Sequence, residues 1–410
     1  MLRALDRLAL PLAIGLTALV ALLLAVQNLT VDSLQQYSRL AGAFLDGRLD
    51  LGPGLERIDE PSQYRGRDYL PLGPAPAVLL VPFVAAARAL GASFLQGWLG
   101  FPLAAGACLV AFCLARRLGF SREDAFLLAF AFGFASPFVG VAAIPISNYF
   151  AHVVVSGCLL LALHEYFGRR RFVWIGACLG LALGSRLSAG LGTGFFLGAI
   201  ALDASPPARK LRHAAALLAP VAVVAALLLL YNEARFDDPF ETGYAFQQVP
   251  DPVQLRARSF GLTSPVHVPG NLYYALLRLP EPVFAEGTRS VMVFPWLRPD
   301  PWGMSLLVTS PWLLYLLRLP VPGGVARLLL GTSALVAGAL LPTWSMGYAQ
   351  FGYRFALDFL PFLWTALALG VRARHGALPP GLRALVLASA VVTCWLLLAF
   401  LGVDRVLRAG

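Results

Sequence analysis

An all-α polytopic membrane bundle of about eleven transmembrane helices is the fold this sequence predicts, and three observations carry it. Of 410 residues, 58% are apolar and only 13% charged, about half the charged share of a soluble domain. The mean hydropathy is +0.72, and the apolar residues fall in blocks near the roughly 20 residues that cross a bilayer, rather than at amphipathic spacing. The 32 Lys and Arg outnumber the 22 Asp and Glu, yet they lie mostly between the apolar blocks, where they hold a membrane protein in register.

The first block runs from Leu8 to Val26 behind Arg3 and Arg7. It is too long for a cleaved signal peptide, so it reads as a first span with its N-terminus in the cytoplasm. Further spans are expected over 97–115, 124–141, 150–167, 172–187, 189–203, 213–231, 303–317, 327–342, 356–371 and 384–402. Threading them alternately puts Arg116/Arg117/Arg122, Arg169/Arg170/Arg171, Arg209/Lys210/Arg212, Arg318/Arg327 and Arg372/Arg374 all inside. The agreement requires that Ala75–Ala87 does not cross. That stretch is short, carries Pro76 and Pro82 and ends at Arg88. It reads as a re-entrant or interfacial helix over 75–90, with a true span over Leu70–Leu90 as the alternative. Residues 1–410 then form one integral membrane domain with two large external loops, 27–74 and 232–302.

Within the first loop, Leu34, Tyr37, Leu40, Ala41, Phe44 and Leu45 recur at helical spacing, with Gln35, Gln36, Arg39 and Asp46 opposite. This is an amphipathic helix in the outer interface. Asp32 stands before it. It reads either as an N-cap with Gln35 completing a capping box, or as a carboxylate able to deprotonate a hydroxyl. Arg186, in Gly184-Ser-Arg-Leu-Ser188, sits between two short spans, and Arg354 starts another on the outer side. Each reads as snorkelling to headgroups or as a phosphate clamp. The turn 144–152 carries Asn148, Tyr149 and His152, and a lone histidine there is more often packed than basic. Asp237 and Asp238 before Pro239 fit an ordinary turn.

Several chemistries are excluded. Cys108, Cys113, Cys158, Cys178 and Cys394 all lie inside apolar blocks, without CxxC spacing or a Cys/His cluster, so they read as buried apolar residues. No nucleic-acid motif accompanies the arginines, and the glycine motifs of nucleotide-binding folds, GxSxG and HExxH are missing. A metal is not demanded, since external carboxylates are few and scattered.

These segments resemble bacterial C-type (GT-C) glycosyltransferases, in an uncharacterised family-39-like branch. The matching runs are Asp32-Ser-Leu-Gln-Gln-Tyr37 leading to Leu45-Asp-Gly47, Leu70-Pro-Leu-Gly-Pro-Ala-Pro76, Arg235-Phe-Asp-Asp-Pro-Phe-Glu-Thr-Gly-Tyr244 and Phe351-Gly-Tyr-Arg-Phe-Ala-Leu-Asp-Phe-Leu-Pro361. The chain departs from the family where Ser33 replaces a second acid, where Asn148 and Tyr149 stand in place of an acid, and in having no large periplasmic domain. The resemblance implies an enzyme of the bacterial cytoplasmic membrane that moves a hexose or pentose from a polyprenyl-phosphate donor to a glycan, lipid or protein acceptor on the outer face. Asp32 would then be the base, Arg186 and Arg354 would hold the departing phosphate, and Tyr37, Asn148, His152 and Tyr244 would line the substrate pocket. Membrane lipids would be the other partners, and nucleic acid would not. A transporter or flippase for a lipid-linked or small amphipathic substrate is the alternative, marked by ionisable residues deep in several spans and by repeated halves.

Overall fold

The computed structural model describes residues 2–55, 60–345 and 347–409, with side chains from 8 to 402. In chain order the helices are α1 (Leu2–Thr30), α2 (Gln36–Leu45), α3 (Ala75–Ala89), α4 (Gln96–Arg117), α5 (Arg122–Phe134), α6 (Phe138–Ala143), α7 (Ser147–Tyr166), α8 (Phe172–Ser185), α9 (Leu187–Gly190), α10 (Thr193–Leu202) and α11 (Pro207–Phe236). They continue as α12 (Pro252–Arg258), α13 (Val268–Leu276), α14 (Leu306–Thr309), α15 (Gly323–Leu340), α16 (Leu360–His375) and α17 (Pro380–Ala409). Each long loop also holds an antiparallel hairpin that the sequence reading did not anticipate. β1 (Ser62–Tyr64) pairs with β2 (Arg67–Tyr69), setting Ser62 opposite Tyr69. β3 (Glu281–Phe284) pairs with β4 (Met292–Arg298), setting Glu281 opposite Arg298.

Among the described residues, six helices are long and apolar enough to cross a membrane: α1, α4, α7, α11, α15 and α17. α11 shows what a lipid-facing helix should, with Val223, Leu227 and Leu230 each about 60% exposed. The other five expected spans are shorter or interrupted. The 124–141 stretch divides into α5 and α6 around Pro137, which has no amide hydrogen to donate. The 303–317 stretch is not one helix either. It is α14, a break at Ser310, and a 3-10 segment Pro311–Arg318, because the residue before a proline is pushed out of the helical region.

Helix packing follows small residues. Gly176, Gly180 and Gly184 recur every four residues along α8. A Cβ on Gly176 would stand 2.2 Å from the Leu217 carbonyl oxygen of α11, and one on Gly180 would stand 3.0 Å from Val224. Only a glycine stripe lets the two helices approach so closely. Gly73, just before α3, is as constrained, since its Cβ would meet the Gly184 oxygen at 2.3 Å.

The connections sort into two ends. At one end the first long loop meets the second: the Gln248 amide donates to the Pro61 oxygen (2.8 Å), and Arg235 Nη1 donates to the Leu70 oxygen (2.7 Å). Asn28 reaches the Ala142 oxygen (2.7 Å) and Gln96 the Pro145 oxygen (2.7 Å) at that same end. Both ends of α3 touch it as well, through Gly73 and through the Gln96 amide, which donates to Gln35 Oε1 (2.8 Å). At the opposite end Arg117 donates to the His164 oxygen, Arg170 faces Asp203, and Arg383 pairs with Asp124.

Candidate active site at the loop-bearing end

Three local breaks bring the site together. α8 stops at Arg186, whose backbone is extended (φ −152°, ψ 120°) before α9 begins. Residues Arg354–Asp358 form a 3-10 turn ahead of α16. In the second loop, Asp237 closes α11 in the left-handed region (φ 56°) and Asp238 Oδ1 accepts from the Phe240 amide. Gly243 (φ 100°) then reverses the chain while its oxygen accepts from Ser62 Oγ (2.7 Å), which presents Tyr244. The aspartates thus serve as turn residues, as their spacing before Pro239 predicts.

Asp358 is the centre. It is fully buried, and both its oxygens accept from Arg186 Nε at 2.9 Å, while Ser188 Oγ donates to Oδ2 at 2.5 Å. His152 Nδ1 lies 3.4 Å from Oδ1, too poorly aligned for a hydrogen bond, and neither ring nitrogen has a hydrogen-bond partner. Arg354 is nearly buried. Its guanidinium lies over the rings of Tyr149 (5.2 Å) and Phe355 (5.4 Å), and its Nε makes no hydrogen bond. Arg186 lies over the other side of the group, 5.3 Å from the Phe355 centroid. No carboxylate of a described residue is within ion-pair distance of Arg354, although Glu60 acts on it from farther away.

Tyr37, fully buried on α2, and Tyr244 complete the group. Burial raises both phenols, with Arg186 pulling each back down, so both are neutral donors across the physiological range. The Tyr37 hydroxyl has no partner. Glu60 is also raised, first by burial and then by Asp251, against the pull of Arg354. Buried polar atoms normally find partners. Here Tyr37 Oη, Arg354 Nε and His152 Nε2 are left without one around two cations, an arrangement that suits an anion with several acceptor oxygens.

The structure therefore gathers Arg186, Arg354, Tyr37, His152 and Tyr244. Asn148 is set apart, exposed on the first turn of α7, and it is the adjacent Tyr149 whose ring meets Arg354. Asp32 is exposed in the link between α1 and α2. It does not cap α2, whose N-cap is Gln35 without a side-chain bond. Gln35 instead accepts from the Gln96 amide, tying α4 to the first loop, so the capping-box expectation is corrected. Snorkelling is corrected for Arg186 too, because Asp358 holds it. Asp358, Glu60 and Ser188 had drawn no role from the sequence. A cavity of about 180 Å³ at the opposite end, beside Arg170, Asp203 and His213, shares no residue with this cluster.

Similar solved structures are archaeal. The chain aligns with the oligosaccharyltransferase of Archaeoglobus fulgidus in its apo form at 15% identity and a TM-score of 0.44. It aligns with the oligosaccharyltransferase AglB of the same organism, in complex with an inhibitory peptide and a dolichol-phosphate, at 14% and 0.42. In each case 95% of this chain is covered and 55% of the other, so the chain spans about half the length of the structures it matches. Scores below 0.5 at such identity assign neither family nor activity. No family model and no curated protein matches the chain.

Proposed function

We propose that this protein is a membrane glycosyltransferase that moves a sugar from a polyprenyl-phosphate donor to an acceptor on the outer face of a bacterial cytoplasmic membrane. One observation carries the reading: two arginines, only one of them held by a carboxylate of a described residue, meet unpartnered buried polar atoms at the end where the long loops converge. Arg186 presents two Nη groups that bond to no described residue, and Arg354 presents its Nε. Together they form a phosphate clamp. Tyr37 and Tyr244 donate to the remaining oxygens, and His152 lines the pocket.

In this mechanism the acceptor hydroxyl attacks the anomeric carbon while a carboxylate removes its proton. The sugar–phosphate C–O bond breaks, its electron pair leaves with the polyprenyl phosphate, and the arginines stabilise the charge that develops. Asp32 is the base the resemblance favours. Glu60 is the contender, because its charge acts on Arg354 and Tyr244.

The sorting of arginine clusters to the far end supports a cytoplasmic placement of that end. The shared location of both ends of α3 supports an interfacial helix over 75–90, and with it the eleven-span count, in which the shorter helices pass through protein rather than lipid. Transfer from a radiolabelled polyprenyl-phosphate sugar by the purified protein tests the activity. Asp32→Asn and Glu60→Gln identify the base, and activity retained in both variants would remove a carboxylate base from the mechanism. If the parent protein binds no lipid phosphate, the transporter reading takes its place.

A further inference from the structure

The β3–β4 hairpin is the most apolar exposed element of the second loop. Phe294 is 73% exposed and Trp296 48%, and Val291, Met292, Val293, Leu297 and Phe284 are all exposed as well. A water-facing hairpin does not carry so many large apolar side chains without a covering partner. What covers it follows from where it rests. Trp296 stacks on Trp395 of α17 (5.3 Å, 18°), Phe294 meets the same ring edge-on (5.6 Å), and Trp395 Nε1 donates to the Pro295 oxygen (3.1 Å).

Trp395 shares its helix face with Val391, Val392 and Leu398, at helical spacing, and those three are exposed apolar residues of a membrane-length helix. That face meets lipid. The hairpin rings continue it. We infer that β4 lies in the outer leaflet, its apolar side chains among the acyl chains, as a monotopic anchor attached to α17. The turn between the strands carries Glu286 and Arg289, both exposed, and Glu281 pairs with Arg298 at the base (3.5 Å). These charges require the hairpin to lie along the interface, with Glu286, Arg289 and the base at the headgroups and the apolar side chains from Val291 to Leu297 deeper.

The inference does not depend on the glycosyltransferase reading. The test places one fluorophore, through Val291→Cys, on full-length protein whose five native cysteines are changed to alanine, in phosphatidylcholine/phosphatidylglycerol nanodiscs. A second protein carries it through Glu286→Cys. We expect blue-shifted emission at 291, quenched by doxyl-labelled lipid and resistant to aqueous iodide, and the reverse at 286. Iodide quenching at 291 would place the hairpin in water and overturn the inference. Protection from both quenchers would point to a protein cover, such as a second copy, and would overturn it equally. A Phe294→Asp/Trp296→Asp double variant that still elutes as the folded protein should lose the doxyl quenching at 291.

Discussion

Two buried aspartate–arginine pairs stand at opposite ends of the molecule. Asp124 and Arg383 (2.8 Å) join the start of α5 to α17, and Asp124 also accepts from the Leu378 amide (3.2 Å). That pair ties helices together near the arginine clusters. Asp358 and Arg186 (2.9 Å) have the same chemistry, but Arg354 lies next to them as a second cation, amid polar atoms without partners. Removing water from charges is costly, and a pair recovers that cost only when its remaining groups are satisfied. The Asp124 pair, which ties α5 to α17 and takes the Leu378 amide, reads as architecture. The Asp358 pair, incomplete without a further anion, reads as a binding site.

The largest effect should follow from breaking either carboxylate. Asp358→Asn and Asp124→Asn each strand a partly buried arginine, and we expect about 3–5 kcal/mol of stability lost in both, measured by thermal unfolding in detergent. Only Asp358→Asn should also remove lipid-phosphate binding in the folded fraction. A comparable loss of binding in Asp124→Asn would erase the distinction. Next in size, Arg354→Lys keeps the charge but loses the planar fork, so affinity should fall by about 1.5–3 kcal/mol, roughly tenfold or more.

Gly176→Leu places side-chain atoms against the α11 backbone and should cost about 1–3 kcal/mol of stability, read as a lower unfolding midpoint. Any substrate still bound should bind with unchanged affinity. The smallest effect is a pH profile. Because burial raises Glu60, a Glu60 base would make kcat/KM fall already above the pH at which an ordinary glutamate protonates. The raised group also favours the folded state below the ordinary glutamate range, and that contribution fades as pH rises through the folded value. Loss of transfer in Asp32→Asn with transfer kept in Glu60→Gln would give the base to Asp32 instead.

Much of this was legible in the sequence. The arginine clusters foretold which connections gather at each end, and the spacing of Tyr37, Leu40 and Ala41 foretold the buried face of α2. Arg186 and Arg354 stood out because the threading sets them on the outer side, apart from the arginine clusters. Asp358 did not, although it lies in the same run as Arg354, because its partner is 172 residues away and no local pattern marks an ion pair formed by tertiary folding. Glu60 was hidden for the same reason, in a loop whose burial depends on the second loop packing over it. The interrupted spans were partly readable from Pro137 and Pro311, but composition averages over a break. The Gly176/Gly180/Gly184 stripe was visible at four-residue spacing, and only its partner α11 was not.

The central claim is that Arg186 and Arg354 complete their site with a lipid phosphate. The most direct test is equilibrium binding of a polyprenyl phosphate to the purified protein in nanodiscs, comparing the parent with Arg186→Lys, Arg354→Lys and Arg383→Lys. We expect saturable binding by the parent, clear weakening in the first two variants, and parental affinity in Arg383→Lys. Equal affinity in all four proteins, or no binding by the parent, would contradict the account.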